Sequence, residues 1–304
     1  MQHPSSWHGS LNLVFAKASN TTQIISNSVR SPLKVQRPFY PEGRDVCHSV
    51  ILHTAGGIVG GDRLSLNFQM QPQAHALITT AAAGKVYRSN GLEAQQTIQI
   101  QVDTGACLEW LPQETIVFNG AIYRQDLRVE LAPGASWLSW EITRFGRSAR
   151  GEKFLQGEWR SHTEVWQQGH PLWIERLWLP GKEEIINSPH GLAGQSVVGS
   201  LAWLGKPVSP EIVEKARSLW QGGGEKGDLG DKGDKADKED LVDFEENYQL
   251  PITNYGVTRL PSGLLCRYRG ASTAQVRTWF TSVWQLLRVS FLERPCCPPR
   301  VWQV

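Results

Sequence analysis

Apolar and polar residues alternate along most of the chain with the period of two that a strand covered on one face requires. Thr97-Ile98-Gln99-Ile100-Gln101-Val102 is the clearest run. The same alternation or a compact apolar run marks residues 11–15, 127–131, 137–142, 159–166, 173–179, 197–204 and 264–268. Turn signals separate these stretches: Pro133-Gly134, Gly169-His170-Pro171, Pro180-Gly181 and Pro261-Ser262-Gly263. Short strands at such regular spacing predict a mainly β body.

The period changes twice, both times in the second half. Ser209-Pro210 supplies an N-cap with proline at the first helical position, and Ile212, Ala216, Leu219 and Trp220 follow on one face. Ser272-Thr273-Ala274-Gln275 reads as a capping box, followed by Val276, Phe280, Val283, Trp284 and Leu287 at helical spacing, with Pro295 ending the helix. Both helices are expected to pack on a sheet.

Between them, residues 222–247 hold four Lys against ten Asp or Glu, a net of −6 within a chain whose total is +2, so the remainder is +8. Four Gly-x-y triplets begin at Gly224, Gly227, Gly230 and Gly233 without any proline, too few for a collagen helix. So few apolar residues cannot offset the entropy of ordering. The expectation is one β-rich domain formed by 1–221 and 248–304, interrupted by a disordered acidic insertion at 222–247.

The charge balance gives no reason to expect a nucleic acid or membrane partner. No basic start leads into an apolar run, no window approaches eighteen consecutive apolar residues, and five scattered cysteines do not suggest a disulfide framework. Cytoplasmic localisation is the expectation.

Catalytic motifs are not apparent. His53-Thr-Ala-Gly-Gly-Ile-Val-Gly-Gly-Asp62 is dense in glycine, yet its spacing fails the dinucleotide fingerprint, which would need glycine at Ala55. Gly84-Lys85 fails as a phosphate loop because Val86 stands for Ser/Thr and Thr79 for the first glycine. The eight histidines show no helical metal spacing, and His48 and His53, five apart, should face different ways. Cys296-Cys297 invites a metal reading, but adjacent thiols chelate one ion poorly and no third ligand is near in sequence. Thirteen tryptophans without an active site suit a binding or scaffolding role. A metal-dependent enzyme using Asp62, His48 and His53, or a general β-scaffold, stands as the alternative.

Five blocks in order sharpen this reading: the glycine loop at 53–62, Thr-Thr-Ala-Ala-Ala-Gly-Lys-Val-Tyr-Arg-Ser at 79–89, Glu-Trp-Leu-Pro-Gln-Glu-Thr-Ile-Val-Phe-Asn-Gly-Ala at 109–121, Gly-Arg-Ser-Ala-Arg-Gly-Glu at 146–152, and Pro-Arg-Val-Trp at 299–302. From about residue 8 to the C-terminus, apart from 222–247, the series resembles the urease accessory protein family UreD (UreH). The resemblance implies a mainly β fold of stacked sheets in a β-helix-like arrangement with two helices. It implies a non-enzymatic maturation factor that binds urease apoprotein and, with UreF and the GTPase UreG, enables nickel insertion. It also implies an internal water-filled passage for transient Ni²⁺, with no tightly bound cofactor. Transit favours weak oxygen contacts over a Cys/His cage. Asp62, which closes the glycine loop, is the first candidate lining residue, followed by Glu141 and Glu175. Each could instead be a carboxylate paired with a neighbour such as Arg147 or Arg176, and Asp62 could instead cap its turn.

Overall fold

The structure is a computed structural model that describes residues 7–147, 150–220 and 254–302. The expected insertion at 222–247 lies outside the described residues. The first sheet contains seven strands: β1 (His8–Ala18), β2 (Thr21–Arg30), β5 (Arg63–Met70), β8 (Ala94–Val102), β11 (Ile122–Leu131), β13 (Glu158–Gln167) and β14 (His170–Pro180). The second is built on β3 (Leu33–Val35), β4 (Val46–His53), β6 (His75–Thr80), β9 (Cys107–Trp110), β12 (Ser136–Phe145), β15 (Val197–Leu204), β16 (Tyr255–Leu260) and β17 (Gly263–Gly270). Two short strands, β7 (Gly84–Val86) and β10 (Thr115–Val117), run parallel beside β12.

The chain coils. Each turn delivers one strand to each sheet, so β1, β5, β8, β11 and β13 are parallel neighbours in the first sheet, and β4, β6, β9 and β12 in the second. Antiparallel strands close the ends: β2 and β14 on one sheet, β3 and the β15–β17–β16 group on the other. This is the β-helix-like stacking that the resemblance implied.

The two sheets differ in what covers them. In the first sheet the inner face is buried and most of the outer face meets water, as Leu64, Leu66, Phe68 and Met70 of β5 alternate with more exposed neighbours. The second sheet is covered on both sides, by the first sheet within and by helices outside. β4 and β9 are therefore buried at nearly every position and show little alternation. One apolar core fills the space between the sheets, and another lies between the second sheet and the helices.

The expected helices are α2 (Pro210–Ser218) and α3 (Thr273–Leu292); a third, α1 (Glu183–Asn187), is a five-residue segment without a periodic signature. Ser272 caps α3 by accepting from the Gln275 N–H at 3.2 Å, whereas Ser209 makes no side-chain cap on α2. α3 stops at Glu293, whose left-handed backbone (φ 54°) turns the chain two residues before Pro295. Trp279, Phe280, Val283, Trp284 and Leu287 bury its inner face. Burial of each such side chain is worth roughly 1.5–3 kcal/mol, enough to fix the helix in place. Gly199 on β15 permits the close approach: a Cβ there would lie 3.0 Å from Val276 and 3.1 Å from Phe280. Among the described residues no helix is long and apolar enough to cross a membrane.

Candidate functional site

Inward-facing positions of the first sheet are apolar along most rows, as burial requires. Two adjacent cross-strand rows depart from this. Gln96 on β8, Gln125 on β11 and Ser161 on β13 stand in register and face inward. Gln125 Oε1 accepts from Gln96 Nε2 at 3.2 Å and from Tyr123 Oη at 3.3 Å. Across the gap, Glu141 on β12 pairs in register with Ser200 on β15, and Ser200 with Arg267 on β17. The rows meet where Ser161 Oγ donates to both Glu141 oxygens at 3.2 and 3.3 Å. On the next inward row, Glu175 of β14 accepts from Ser200 Oγ at 3.3 Å and from Arg267 Nη2 and Nε at 2.6 and 2.9 Å.

A cavity of about 410 Å³ lies at one end of this polar line, with His53, Gln96, Tyr123, Gln125, Ser139 and Glu141 among its lining residues. A second, more open cavity of about 480 Å³ lies at the other end, bordered by Glu175, Ser200, Tyr255 and Arg267. Glu141 carries the signature of the site. Burial and then the nearby Glu175 charge push its carboxyl up to about 7, against the opposing hydrogen bond from Ser161. The group therefore changes charge near neutral pH.

The loop 53–62 forms the rim of the first cavity. Gly57 passes close against Tyr87, and a Cβ there would lie 2.8 Å from the Lys85 carbonyl oxygen. Asp62 is buried, and its two oxygens accept from the backbone N–H groups of Trp7 and Val59, each at 3.0 Å. Its carboxylate thus fastens the loop and does not line either cavity. Beside it, His53 borders the first cavity, and both its ring nitrogens are buried without a hydrogen-bond partner among the described residues.

The structure does not bring Asp62, His48 and His53 into one site. His48 and His53 lie five apart on β4 and so face opposite sides of the sheet. The His48 ring pairs with Glu42 at 2.6 Å on the α3 side. Among the described residues no three His, Cys, Asp or Glu side chains are grouped to hold a metal. Cys296 and Cys297 remain free thiols whose ionisation burial pushes upward, which suits them poorly as thiolate ligands. The partner of Glu175 is Arg267, and Arg147 pairs with Glu152.

The four internal sequence blocks assemble at one corner of the coil. Ile58, Val86, Val117 and Phe145 stack in successive turns. Outside this apolar column, Tyr87 meets Phe118 edge-on (centroids 5.0 Å), and the Arg147 guanidinium lies 4.7 Å from the Phe118 ring. The fifth block returns to the second core, where Trp302 packs on Trp140 and donates to Thr79 Oγ1 at 2.9 Å.

Comparison with known proteins decides what this arrangement belongs to. The model of the UreD urease accessory protein family matches residues 8–303. The chain belongs to the UreD family. Relatives named urease accessory protein UreD include one from Nostoc sp. (strain PCC 7120), 67% identical over 297 residues, covering 98% of this chain and 96% of the relative. Others are from Acaryochloris marina, 57% identical over 298 residues with 98% and 96% coverage, and Dechloromonas aromatica, 37% identical over 304 residues with 99% and 96% coverage. In this UreD chain the glutamines, serines and Arg267 of the inter-sheet row escaped the sequence reading. For the glutamines the signal was present: Gln96 and Gln125 fall in the inward phase of β8 and β11, among apolar residues.

A second polar cluster was also missed. Under α3, Arg288 Nη2 donates to both Glu42 oxygens at 2.8 and 2.9 Å, and Nη1 donates to the Pro295 carbonyl at 2.7 Å. Its Nε lies 3.2 Å from Glu109, which also accepts from Trp284 and pairs with His75 at 2.7 Å. Burial alone would raise the Glu42 carboxyl, but hydrogen bonds from His48 and Arg288 hold it at about 2. Burial likewise opposes a charged His75, yet Cys107 and Glu109 raise it to about 10.

Proposed function

We propose that this chain serves urease maturation as a non-catalytic nickel-insertion factor, conducting Ni²⁺ between its two sheets to urease apoprotein. UreF and the GTPase UreG are its partners in the cytoplasm. The role in urease maturation follows from family membership. The passage rests on one observation: a polar row joining two cavities through an otherwise apolar core.

The chemistry suits transit. Amide, hydroxyl and carboxylate oxygens along the row offer hard, weak contacts that a hydrated divalent ion can exchange in turn. Glu141 and Glu175 supply the negative charge that offsets partial loss of the hydration shell. Asp62 contributes by fixing the loop that carries His53 at the rim. The alternative of a metal-dependent enzyme has no comparable support, since its three residues face different surroundings.

The test is urease activation in cells expressing urease with its accessory proteins. Without this chain, urease subunits should assemble but contain little nickel by elemental analysis. Glu141→Gln and Glu175→Gln should each reduce nickel content and activity at least tenfold while the variant chain still co-purifies with urease. Full nickel loading in both variants would sink the passage.

A further inference from the structure

The two arginines that pair with interior carboxylates, Arg288 and Arg267, are built differently, and the difference bears on how the passage is kept closed. Arg267 is 57% exposed in its side chain, whereas its partner Glu175 is only 9% exposed. The guanidinium therefore reaches inward from the mouth of the second cavity. Both of its donated bonds fall on one oxygen, Glu175 Oε1, while among the described residues Oε2 accepts only from the Ser200 hydroxyl. Among the described residues the Arg267 side chain donates to no other group. A fork spread over both oxygens would block the carboxylate; this one leaves Oε2 approachable.

Resting on the passage reading above, we infer that Arg267 is a built-in counter-cation that occupies Glu175 until an arriving divalent cation displaces it. The exchange is associative. The cation meets Glu175 Oε2 first, the Ser200 hydroxyl rotates away, and like-charge repulsion drives the guanidinium out into water. The charges match: with Arg267 seated, ionised Glu141 and Glu175 sum with it to −1, and once it leaves they present −2 to a divalent ion. Monovalent ions lack the charge to compete, so the same device selects for charge.

The experiment uses the full-length chain and Ni²⁺ alone. Arginine-specific phenylglyoxal labelling, read at Arg267 by peptide mass spectrometry, should rise at least threefold on saturation with Ni²⁺ and not change with an equal charge concentration of Na⁺. Equilibrium dialysis of Arg267→Met should show Ni²⁺ bound at least tenfold more tightly than by the parent chain, and Arg267→Lys should fall between. Adding Glu175→Gln to Arg267→Met should abolish that gain. Unchanged Arg267 labelling at saturating Ni²⁺ overturns the inference even if the Met variant misfolds, because that arm uses the parent chain. Ni²⁺-driven release of Arg267 together with normal urease activation by Glu175→Gln would uphold the exchange and discard the passage.

Discussion

Two polar clusters sit deep in this molecule, built from the same residue types, and they behave in opposite ways. Under α3, Arg288 is fully buried with Glu42 and Glu109 as its ion-pair partners, and its Nη1 also donates to a backbone carbonyl. Between the sheets, among the described residues, Glu141 has only a serine hydroxyl as a donor, and Glu175 has a half-exposed arginine. The first cluster has opposite charges in place and adjoins neither cavity; the second is short of positive charge and opens on both. On the proposed reading, compensation is what separates a structural tie from a site held ready for a cation. Burying a carboxylate is tolerable when fixed partners replace water, and it is useful when the missing partner is mobile.

Breaking the closed cluster should have the largest effect. Arg288→Met leaves Glu42 and Glu109 short of a cation in an interior site and should lower stability by roughly 3–5 kcal/mol, read as loss of soluble chain and a lower denaturant midpoint. A loss below about 1 kcal/mol would mean that the cluster is as adaptable as the inter-sheet row. The pH profile tests the same tie. The Glu42 pKa is lower in the folded state, so its contribution is whole above about 4.5 and is lost as pH falls towards about 2. The His75 pKa is higher when folded, so its contribution is whole below 6.5 and is lost as pH rises through about 10.

Glu141 should respond in the other sense. With a folded pKa raised to about 7 from 4.5, its ionisation works against the fold, and stability drains as pH rises across that interval. Glu141→Gln should therefore gain roughly 1–3 kcal/mol at pH 8 relative to the parent chain, with little difference at pH 4. A variant that is more stable yet activates urease poorly would sharpen the contrast, since a structural tie cannot show that combination.

These contrasts explain what the sequence disclosed. In the first sheet β8, β11 and β13 announced themselves because one face is wet and their residues alternate visibly, although β2 and β5 of the same sheet went unread. β4, β6 and β9 did not, because core on one side and helix on the other demand apolar residues throughout. Glu175 was legible as a carboxylate inside an otherwise apolar strand and Glu141 by its place ahead of the Gly-Arg block; each borders a cavity. Asp62 was read from a different cue, its place at the close of the glycine-dense loop, and its oxygens accept from the backbone N–H groups of Trp7 and Val59. Nothing local distinguishes a buried acceptor of backbone N–H groups from a lining residue. Arg267 was invisible because its meaning depends on Glu175, ninety-two positions away.

Asp62 supplies the smallest and most discriminating prediction. Asp62→Ala strands two backbone N–H groups and should lose roughly 1–3 kcal/mol, while Asp62→Asn keeps one acceptor oxygen and should lose about half as much. Urease activation should follow the stability of these variants. If Asp62→Asn is stable but inactive, Asp62 belongs with Glu141 in the open cluster.

The in-register coil has a consequence for which sequence changes the protein can absorb. Side chains of β11 alternate between core and water, and ten consecutive residues of β11 lie opposite ten of β13. Deleting a single residue within β11 would carry every later side chain of that strand to the wrong face, turning Leu127, Val129 and Leu131 outward while exchanging polar groups into the core. The connections between turns have no such reading frame. Length variation should therefore collect at the corners, while each strand behaves like a codon-locked text in which substitutions are negotiable and insertions are not.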